Sequence, residues 1–169
     1  GSGKSYVAKH FGYPVFNADY EVSKLYKENK LIYIKLKKKL PKFIKSFPIN
    51  KKEIIKAILS NKQNLKIIIK IIHLEIRKKL NSFLRTNKEK KLVVLDIPLL
   101  LENRINKKNY ILIFVDSKRK DIAVKLKLRK NYNENLIKVF KKIQLSVSYK
   151  KKVSNFIIKN NFTKKSVAN

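Results

Sequence analysis

The sequence predicts an α/β fold in which a parallel β-sheet is flanked by helices and carries an inserted helical block. Short apolar runs, each long enough for one buried strand, alternate with helical patterns towards both ends of the chain. Between them, residues 31–86 show helical spacing and little strand signal. The chain has 169 residues, 44% of them apolar, which is enough for a hydrophobic core. Alternating strands and helices favour a parallel sheet with right-handed crossovers.

The first predicted elements follow a short glycine-containing loop. A helix is predicted from Ser5 to Phe11, and Gly12 ends it. Residues 13–16 form an apolar run suited to a buried strand, and a polar helix follows over residues 17–30.

The helical block is predicted from the spacing of its isoleucines and leucines. Its apolar residues at helical spacing are Leu31, Ile34, Leu36 and Leu40, then Ile54, Ile55, Ile58 and Leu59, then Leu65, Ile68, Ile69, Ile72, Ile76, Leu80 and Leu84. Pro41 and Pro48 interrupt the block, and Asn50 is placed to cap a helix that begins at Lys51.

Strand character returns in the second half of the chain. Residues 92–96 form a near-continuous apolar run, which is typical of parallel strands covered on both faces, and Pro98 ends it. The later elements are predicted as a strand over 110–116, helices over 118–130, 133–144 and 146–153, and a strand over 156–158. No internal repeat or linker divides the chain into independent domains.

The charge balance is strongly basic. Lysine and arginine together number 43 against 11 acidic residues, which gives a formal net charge of +32. Such a charge attracts polyanions, so nonspecific affinity for nucleic acid is expected. Only five of the 43 are arginines, the residue that reads bases and phosphates best, and the lysines are spread along the whole chain. We therefore favour a compositional origin, a genome rich in A and T, for the lysine excess.

Cysteine and methionine are both absent from the sequence. The absence of cysteine excludes disulfide scaffolds, zinc knuckles and thiol nucleophiles, and it suits a reducing compartment. With no signal peptide or membrane-spanning stretch in the sequence, we expect a soluble cytoplasmic protein without a membrane partner. The absence of methionine predicts either a fragment or a processed product. We also expect the chain to be truncated at its N-terminus, before the loop, and at its C-terminus, because few residues follow Asn160. We expect such a fragment, which lacks the strand before the loop, to have poor stability and little activity.

Residues 1–5, Gly-Ser-Gly-Lys-Ser, match the end of the phosphate-binding motif G-x-x-x-x-G-K-S/T. In this motif, glycines let backbone N–H groups close around phosphate oxygens. Lys4 would reach the β- and γ-phosphates, and the Ser5 hydroxyl would bind Mg²⁺. The alternative is a remnant of tag cleavage, which also leaves Gly-Ser, and the strand that should feed the loop lies before residue 1.

Two aspartates follow predicted strands. Asp19 comes just after the strand that ends at Phe16, and Asp96 closes the run over 92–96. In a parallel α/β sheet, both positions belong to the carboxyl edge, where ligands bind. Asp19 can accept a proton from an acceptor hydroxyl, and Asp96 can bind Mg²⁺. The alternatives are a helix N-cap for Asp19 and a turn residue for Asp96.

In their order along nearly the whole chain, these residues resemble the dephospho-CoA kinase family, P-loop kinases of the nucleoside-monophosphate kinase type. Residues 1–19, GSGKSYVAKHFGYPVFNAD, are similar to the family's G-S-G-K-S-T-V-A-x-x-F…G-x-x-V-x-D-A-D. The further matches are His73 to Arg77 at its H-P-x-I-R, residues 95–102 at its D-x-P-L-L-x-E, Arg129 at its lid arginine, Gln144 and Lys150 at its Q…K, and residues 158–160 at its V-I-x-N. The order and spacing of these weak matches are together specific.

The resemblance implies an ATP-dependent kinase that phosphorylates the ribose 3′-hydroxyl of dephospho-CoA, the last step of coenzyme A biosynthesis. The implied fold is that of a P-loop kinase, a three-layer parallel sheet flanked by helices. Its nucleotide-binding core would comprise residues 1–30 and 87–169, with a helical lid at about 118–144, and residues 31–86 would bind the acceptor.

The resemblance also implies the site residues. The catalytic residues would be Lys4, Asp19 and Arg129. ATP would contact Gly1, Ser2, Gly3, Lys4, Ser5, Tyr6 and Arg129. Dephospho-CoA would contact Asp19, His73, Arg77, Pro98, Leu99 and Glu102, and Mg²⁺ would contact Ser5 and Asp96.

The chain departs from the family pattern at a few positions. Asn17 replaces the first aspartate of D-A-D, Leu74 replaces the proline after the histidine, and Lys125 replaces an earlier lid arginine. Residues 154–155 are Ser-Asn where the family has A-D. None of these changes affects the residues of the proposed chemistry, which we expect to survive in the full-length protein.

Other interpretations stay open from sequence alone. Another small-molecule P-loop kinase, acting on a nucleotide or nucleoside, would keep the loop and the base but change the helical block. A basic RNA-binding protein without catalysis would need only the charge, although the scattered tyrosines disfavour a stacking surface. Individually, His73 suits a core position, Arg129 an exposed helix end, and residues 98–102 a packed strand end.

Overall fold

The computed structural model describes residues 1–103, 105–129 and 132–163. The elements of the first half are α1 (Lys4–His10), β1 (Val15–Asn17), α2 (Ala18–Glu28), α3 (Lys30–Lys39), α4 (Lys51–Ser60) and α5 (Lys62–Thr86). Those of the second half are β2 (Val94–Asp96), β3 (Ile113–Asp116), α6 (Arg119–Lys127), α7 (Glu134–Ile143), α8 (Val147–Val153) and β4 (Phe156–Lys159). The predicted α/β class and the order of elements are confirmed. No helix within the described ranges is both long and apolar enough to cross a membrane.

The chain forms two compact units. The helical unit comprises residues 16–93, and the loop unit comprises residues 1–15 together with the described residues from 94 onwards. The helical unit includes α2 as well as the helices of residues 31–86, because α2 packs against α5.

Asparagine side chains begin all four helices of the helical unit. The side chain of Asn17 accepts a hydrogen bond from the Tyr20 N–H at 2.8 Å, which caps α2. Asn29, Asn50 and Asn61 cap α3, α4 and α5 in the same way. An N-cap of this kind satisfies one of the backbone donors that a helix start leaves without a partner. The abundant asparagine of the sequence therefore marks helix boundaries, including the predicted cap at Asn50.

The core of the helical unit is built on α5. Its buried residues, Leu65, Ile68, Ile72, Ile76 and Leu80, lie three or four positions apart and so share one face. Helices α2, α3 and α4 each pack against α5. Ile32, Leu36 and Ile44 are almost completely shielded from solvent. The predicted helical periodicity is confirmed by this burial.

Leu36 offers a test of that core. We expect Leu36→Ala to lower the free energy of unfolding by about 2–5 kcal/mol, because it removes apolar burial and leaves a cavity. Leu31→Ala makes the same truncation on the same helix at a side chain that is 66% exposed, and should cost less than about 0.5 kcal/mol. Urea denaturation followed by circular dichroism measures both, and equal effects would contradict the packing described.

The loop unit contains a parallel strand pair. Strand β3 pairs with β4 in parallel, with Ile113 opposite Phe156 and Asp116 opposite Lys159. Within the described part of the chain these two strands form a two-stranded sheet, so each is an edge strand. The side chains of Ile113, Phe156 and Ile157 are exposed. The two strands predicted over 110–116 and 156–158 are thus present, and part of their apolar surface faces solvent.

The rest of the loop unit places α1 beside β2. Helix α1 packs against β2, with Val7 and Ala8 buried, and Val115 of β3 is also buried. The Val94 N–H donates to the Pro14 carbonyl at 2.8 Å, which ties the chain before β1 to the start of β2.

Candidate functional site

The loop before α1 has the geometry of a glycine-dependent turn. Gly3 adopts the left-handed conformation, with φ of 83°, and precedes the first residue of α1. A β-carbon at Gly3 would also collide with the side-chain amide nitrogen of Asn160. At Gly1 a β-carbon would lie 2.8 Å from Ile122 and 2.9 Å from Leu126, both on α6. Glycine is therefore required at Gly3 on two independent grounds.

The first turn of α1 begins with backbone N–H groups that make no hydrogen bond within the helix. The Tyr6 and Val7 N–H groups both donate to the Gly3 carbonyl at 3.0 Å. The N–H groups of Lys4 and Ser5 precede this hydrogen-bond ladder, as they do at any helix start. Lys4 and Ser5 are exposed. Tyr6 is 41% exposed and lies against the His10 ring, with the ring centroids 4.1 Å apart.

Two side chains hold the Ser2 carbonyl oxygen. It accepts a hydrogen bond from Ser117 Oγ at 3.1 Å and another from Asn160 Nδ2 at 2.9 Å. Ser117 follows β3, and Asn160 follows β4. Neither residue is among the site residues predicted from the sequence. The rule that ligands bind at the carboxyl edge of a parallel sheet would have found them, because both lie directly beyond such strand ends.

Asp96 is the last residue of β2 and is only 8% exposed. Because α1 packs against β2, Asp96 belongs to the same unit as Lys4 and Ser5. No group of three or more histidine, aspartate or glutamate side chains that could hold a metal occurs among the described residues.

The segment after β2 carries an ion pair. Glu102 lies 2.6 Å from Lys150 Nζ of α8, and its carboxylate also accepts the Leu145 N–H at 3.0 Å. Burial alone would raise the pKa of Glu102, but the Lys150 and Leu145 hydrogen bonds outweigh it and hold the pKa below its ordinary value. Pro98 is exposed, and Leu99 adopts a left-handed φ of 56°, an uncommon conformation for a leucine.

The Glu102 pair predicts a pH-dependent contribution to stability. Because the folded-state pKa is lowered, ionised Glu102 stabilises the fold above its unfolded pKa of about 4.3, and this contribution disappears as the pH falls through the folded pKa. We expect Glu102→Gln to lower the free energy of unfolding at pH 7 by about 1–2 kcal/mol. The difference from the parent chain should shrink as the pH is lowered.

Glu134→Gln is the matched control for this prediction. Glu134 also pairs with a lysine, Lys138 at 2.9 Å, but both side chains are more than 60% exposed. The exposed pair should therefore contribute much less than the Glu102 pair at pH 7. Chemical denaturation at pH 7 and pH 3 measures both variants, and a Glu102→Gln penalty that is unchanged at pH 3 would contradict the assignment.

Asp19 lies in the first turn of α2 and is exposed. The N-cap of this helix is Asn17, not Asp19, so the helix-cap alternative for Asp19 is wrong. Its backbone carbonyl accepts the Ser23 hydroxyl at 2.9 Å. Glu21, the other acid of the turn, pairs with Lys79 at 3.0 Å.

His73 and Arg77 lie one turn apart on α5. The His73 side chain is half-buried, and Arg77 is exposed. Burial, and then the Arg77 charge, lower the pKa of His73 below its ordinary value, which favours the neutral imidazole. A groove of about 460 Å³ in the same unit is lined by Lys24, Lys30 and Lys79 among others, and neither His73 nor Arg77 lines it.

Arg129 follows α6 and is exposed. Its N–H donates to the Leu126 carbonyl at 3.1 Å, and its carbonyl accepts the Tyr132 N–H at 2.9 Å. Of the predicted lid, residues 130 and 131 lie outside the described residues. Lys125, the other lid position, places its ammonium 5.5 Å from the centre of the Phe162 ring.

Comparison with known proteins gives a decisive match. A protein-family model described as dephospho-CoA kinase matches residues 1–166. The chain belongs to the dephospho-CoA kinase family. It is 34% identical over 172 residues to the dephospho-CoA kinase of Wolbachia sp. subsp. Brugia malayi, with 99% of this chain and 88% of the relative covered. It is 31% identical over 161 residues to the Bartonella henselae enzyme, with coverages of 92% and 82%.

Solved structures share the fold. TT1252 from Thermus thermophilus matches with a TM-score of 0.78 and 22% identity over 99% of this chain and 87% of that chain. Dephospho-CoA kinase from Campylobacter jejuni matches with a TM-score of 0.60 and 23% identity over 98% and 84%. The predicted P-loop kinase fold is thereby confirmed.

The predicted site residues of this dephospho-CoA kinase family member fall into both units. The loop unit contains the residues predicted for ATP and Mg²⁺, which are Gly1 to Tyr6, Asp96 and Arg129. It also contains three of the residues predicted for dephospho-CoA, namely Pro98, Leu99 and Glu102. The helical unit contains Asp19, His73 and Arg77. The roles of these residues remain predictions, which are developed below.

Proposed function

We propose that this chain transfers the γ-phosphoryl group of ATP to the ribose 3′-hydroxyl of dephospho-CoA, the final step of coenzyme A biosynthesis. The family match over residues 1–166 carries this proposal. It starts with the glycine-dependent loop and continues through α5 and the segment after β2, so it includes every residue to which we assign a role.

The proposed role of residues 1–6 is to hold the ATP phosphates. The left-handed turn at Gly3 and the donors at the start of α1 support it. Backbone N–H groups in such a loop bind phosphate oxygens, and Lys4 would place its ammonium near the β- and γ-phosphates. Lys4 is exposed, so its charge is available to a ligand. Tyr6 would lie beside the nucleotide.

Ser5 and Asp96 are the proposed protein ligands of Mg²⁺. A hydroxyl and a carboxylate are the hard oxygen donors that Mg²⁺ prefers, and this ion needs only one or two protein ligands besides water and phosphate oxygens. The lack of a larger acidic cluster in the described part of the chain agrees with such a site. When bound, Mg²⁺ neutralises charge on the β- and γ-phosphates.

Asp19 is the proposed general base. Asp19 is exposed in the first turn of α2, a helix whose N-cap is Asn17. A carboxylate that accepts the proton of the ribose 3′-hydroxyl makes the oxygen a better nucleophile as it attacks the γ-phosphorus. The bond from the γ-phosphorus to the bridging oxygen breaks, and ADP leaves.

Further residues complete the proposal. Arg129 would stabilise the charge of the transferred phosphoryl group from the lid. His73, Arg77, Pro98 and Leu99 would contact dephospho-CoA. A neutral His73 can accept or donate a hydrogen bond, whereas Arg77 can pair with a phosphate of the acceptor. For Glu102, the ion pair with Lys150 favours a role in holding the segment after β2 against α8.

Release of ADP from ATP, measured with different acceptors, tests the proposal. We expect Mg²⁺-dependent ADP release with dephospho-CoA and at least 10²-fold less with AMP or adenosine, because the lost acceptor contacts leave site groups unpaired. Equal release with AMP or adenosine would favour another small-molecule kinase. No ADP release by the full-length protein with any acceptor would contradict the proposed phosphoryl transfer.

A further inference from the structure

The Ser2 carbonyl lies in the loop that we propose binds phosphate. It accepts hydrogen bonds from two side chains, Ser117 Oγ and Asn160 Nδ2, both more than a hundred residues away in sequence. We infer that Asn160 and Ser117 are positioning residues that orient the Ser2–Gly3 peptide and thereby set the affinity for ATP. This inference rests on the proposed function, since it assigns these residues to the same loop.

Asn160 is held in one orientation. It is only 3% exposed, and both ends of its amide are engaged. Nδ2 donates to the Ser2 carbonyl at 2.9 Å, while Oδ1 accepts the Phe162 N–H at 2.9 Å. Flipping the amide would place Oδ1 against the Ser2 carbonyl and Nδ2 against the Phe162 N–H, which would lose both bonds. The donor therefore always faces Ser2.

The parallel strands fix where this donor lies. The Asn160 N–H donates to the Asp116 carbonyl at 2.7 Å, which continues the β3–β4 pairing by one residue. Ser117 is the next residue after Asp116, so both donors to Ser2 extend from the same end of the strand pair. The strand register thus determines the position of the loop.

Holding the Ser2 carbonyl has a consequence for Gly3. In a trans peptide, the C=O and the following N–H point in opposite directions. Because the Ser2 carbonyl points at Asn160 and Ser117, the Gly3 N–H is directed away from them. That donor belongs to the loop proposed to bind phosphate, and its direction is fixed before a ligand arrives. Pre-orientation of this kind lowers the cost of binding.

Asn160→Asp is the direct test, with Asn161→Asp as its matched control. In Asn160→Asp an oxygen replaces the donor that faces the Ser2 carbonyl, so we expect ATP affinity to fall by about 10- to 100-fold. Asn161→Asp adds the same charge one residue later. Asn161 Oδ1 accepts the Thr163 N–H and hydroxyl, and an aspartate keeps both bonds, so affinity should change less than about twofold.

Ser117 supplies a milder pair of variants. Ser117→Ala removes one of the two donors to Ser2 and should weaken ATP binding by about two- to tenfold. Ser117→Thr keeps a hydroxyl and should restore most of the affinity. Thermal unfolding shows whether Asn160→Asp folds. If it does not, the two Ser117 variants still test the inference.

The measurements are ATP·Mg affinity by isothermal titration calorimetry and KM for each substrate. The inference predicts a raised Kd and KM for ATP with KM for dephospho-CoA unchanged within about twofold. Equal effects of Asn160→Asp and Asn161→Asp, or folded Ser117 variants with unaltered ATP affinity, would overturn it. Failure of the parent chain to bind ATP would instead overturn the proposed function, so the two failures are distinguishable.

Discussion

Asp19→Asn should lower kcat by about 10²- to 10⁴-fold, the range typical for the loss of a general base. The substitution keeps the size of the side chain but removes its ability to take the proton of the ribose hydroxyl. Because Asn17 rather than Asp19 caps α2, the helix should form normally in the variant. KM for ATP should stay within about threefold, because the base contributes to the transition state rather than to nucleotide binding.

Glu28→Gln is the matched control for Asp19→Asn. Glu28 is an exposed acid at the other end of α2, so the variant makes the same loss of one carboxylate on the same helix. Steady-state assays of ADP release should show no more than about a twofold change for it. A comparable fall in kcat for both variants would mean that the charge of α2, and not a base at Asp19, supports the reaction.

Lys4→Met should lower kcat/KM by about 10²- to 10³-fold. The variant keeps a long side chain at the start of α1 but removes the ammonium proposed to stabilise charge on the β- and γ-phosphates. Lys9→Met provides the control, because Lys9 is an exposed lysine on the same helix. With so many lysines in the chain, this comparison separates a specific contact from the general positive field.

The salt dependence of kcat/KM provides a second test with the same two variants, Lys4→Met and Lys9→Met. General attraction of anions by a charge of +32 weakens as salt is added, whereas a direct contact in the loop weakens less. The ratio of Lys9→Met to Lys4→Met activity should therefore persist at high salt. A ratio that falls towards unity would show that Lys4 acts only as one of many surface charges.

The fold could be predicted from the sequence because its signals are local. Helix α5 follows from the spacing of its buried isoleucines and leucines, and the start of α4 follows from Asn50. The ends of strands were less predictable, since residues 92 and 93 continue the apolar run but β2 begins at Val94. Exposure of β3 and β4 was not predictable, because an apolar run does not reveal how many strands will pair beside it.

The candidate site was predictable only in part. The loop and Asp96 follow from a motif and a strand end, both of which are local features. The position of Asn160 and Ser117 beyond two strand ends could be read from the sequence, but their bonds to Ser2 could not, because these join residues far apart in the chain. The Glu102–Lys150 pair was missed for the same reason. Asparagine is also so common in this chain that one functional amide does not stand out.

The most direct test of the account is the identity of the product. The full-length protein is incubated with ATP, Mg²⁺ and dephospho-CoA, and the products are separated by liquid chromatography and identified by mass spectrometry. We predict that coenzyme A and ADP form in equal amounts. The Asp19→Asn variant should form both products much more slowly than the parent protein. ADP without coenzyme A, or dephospho-CoA that remains unconverted while ATP is bound, would contradict the assignment of this chain as a dephospho-CoA kinase.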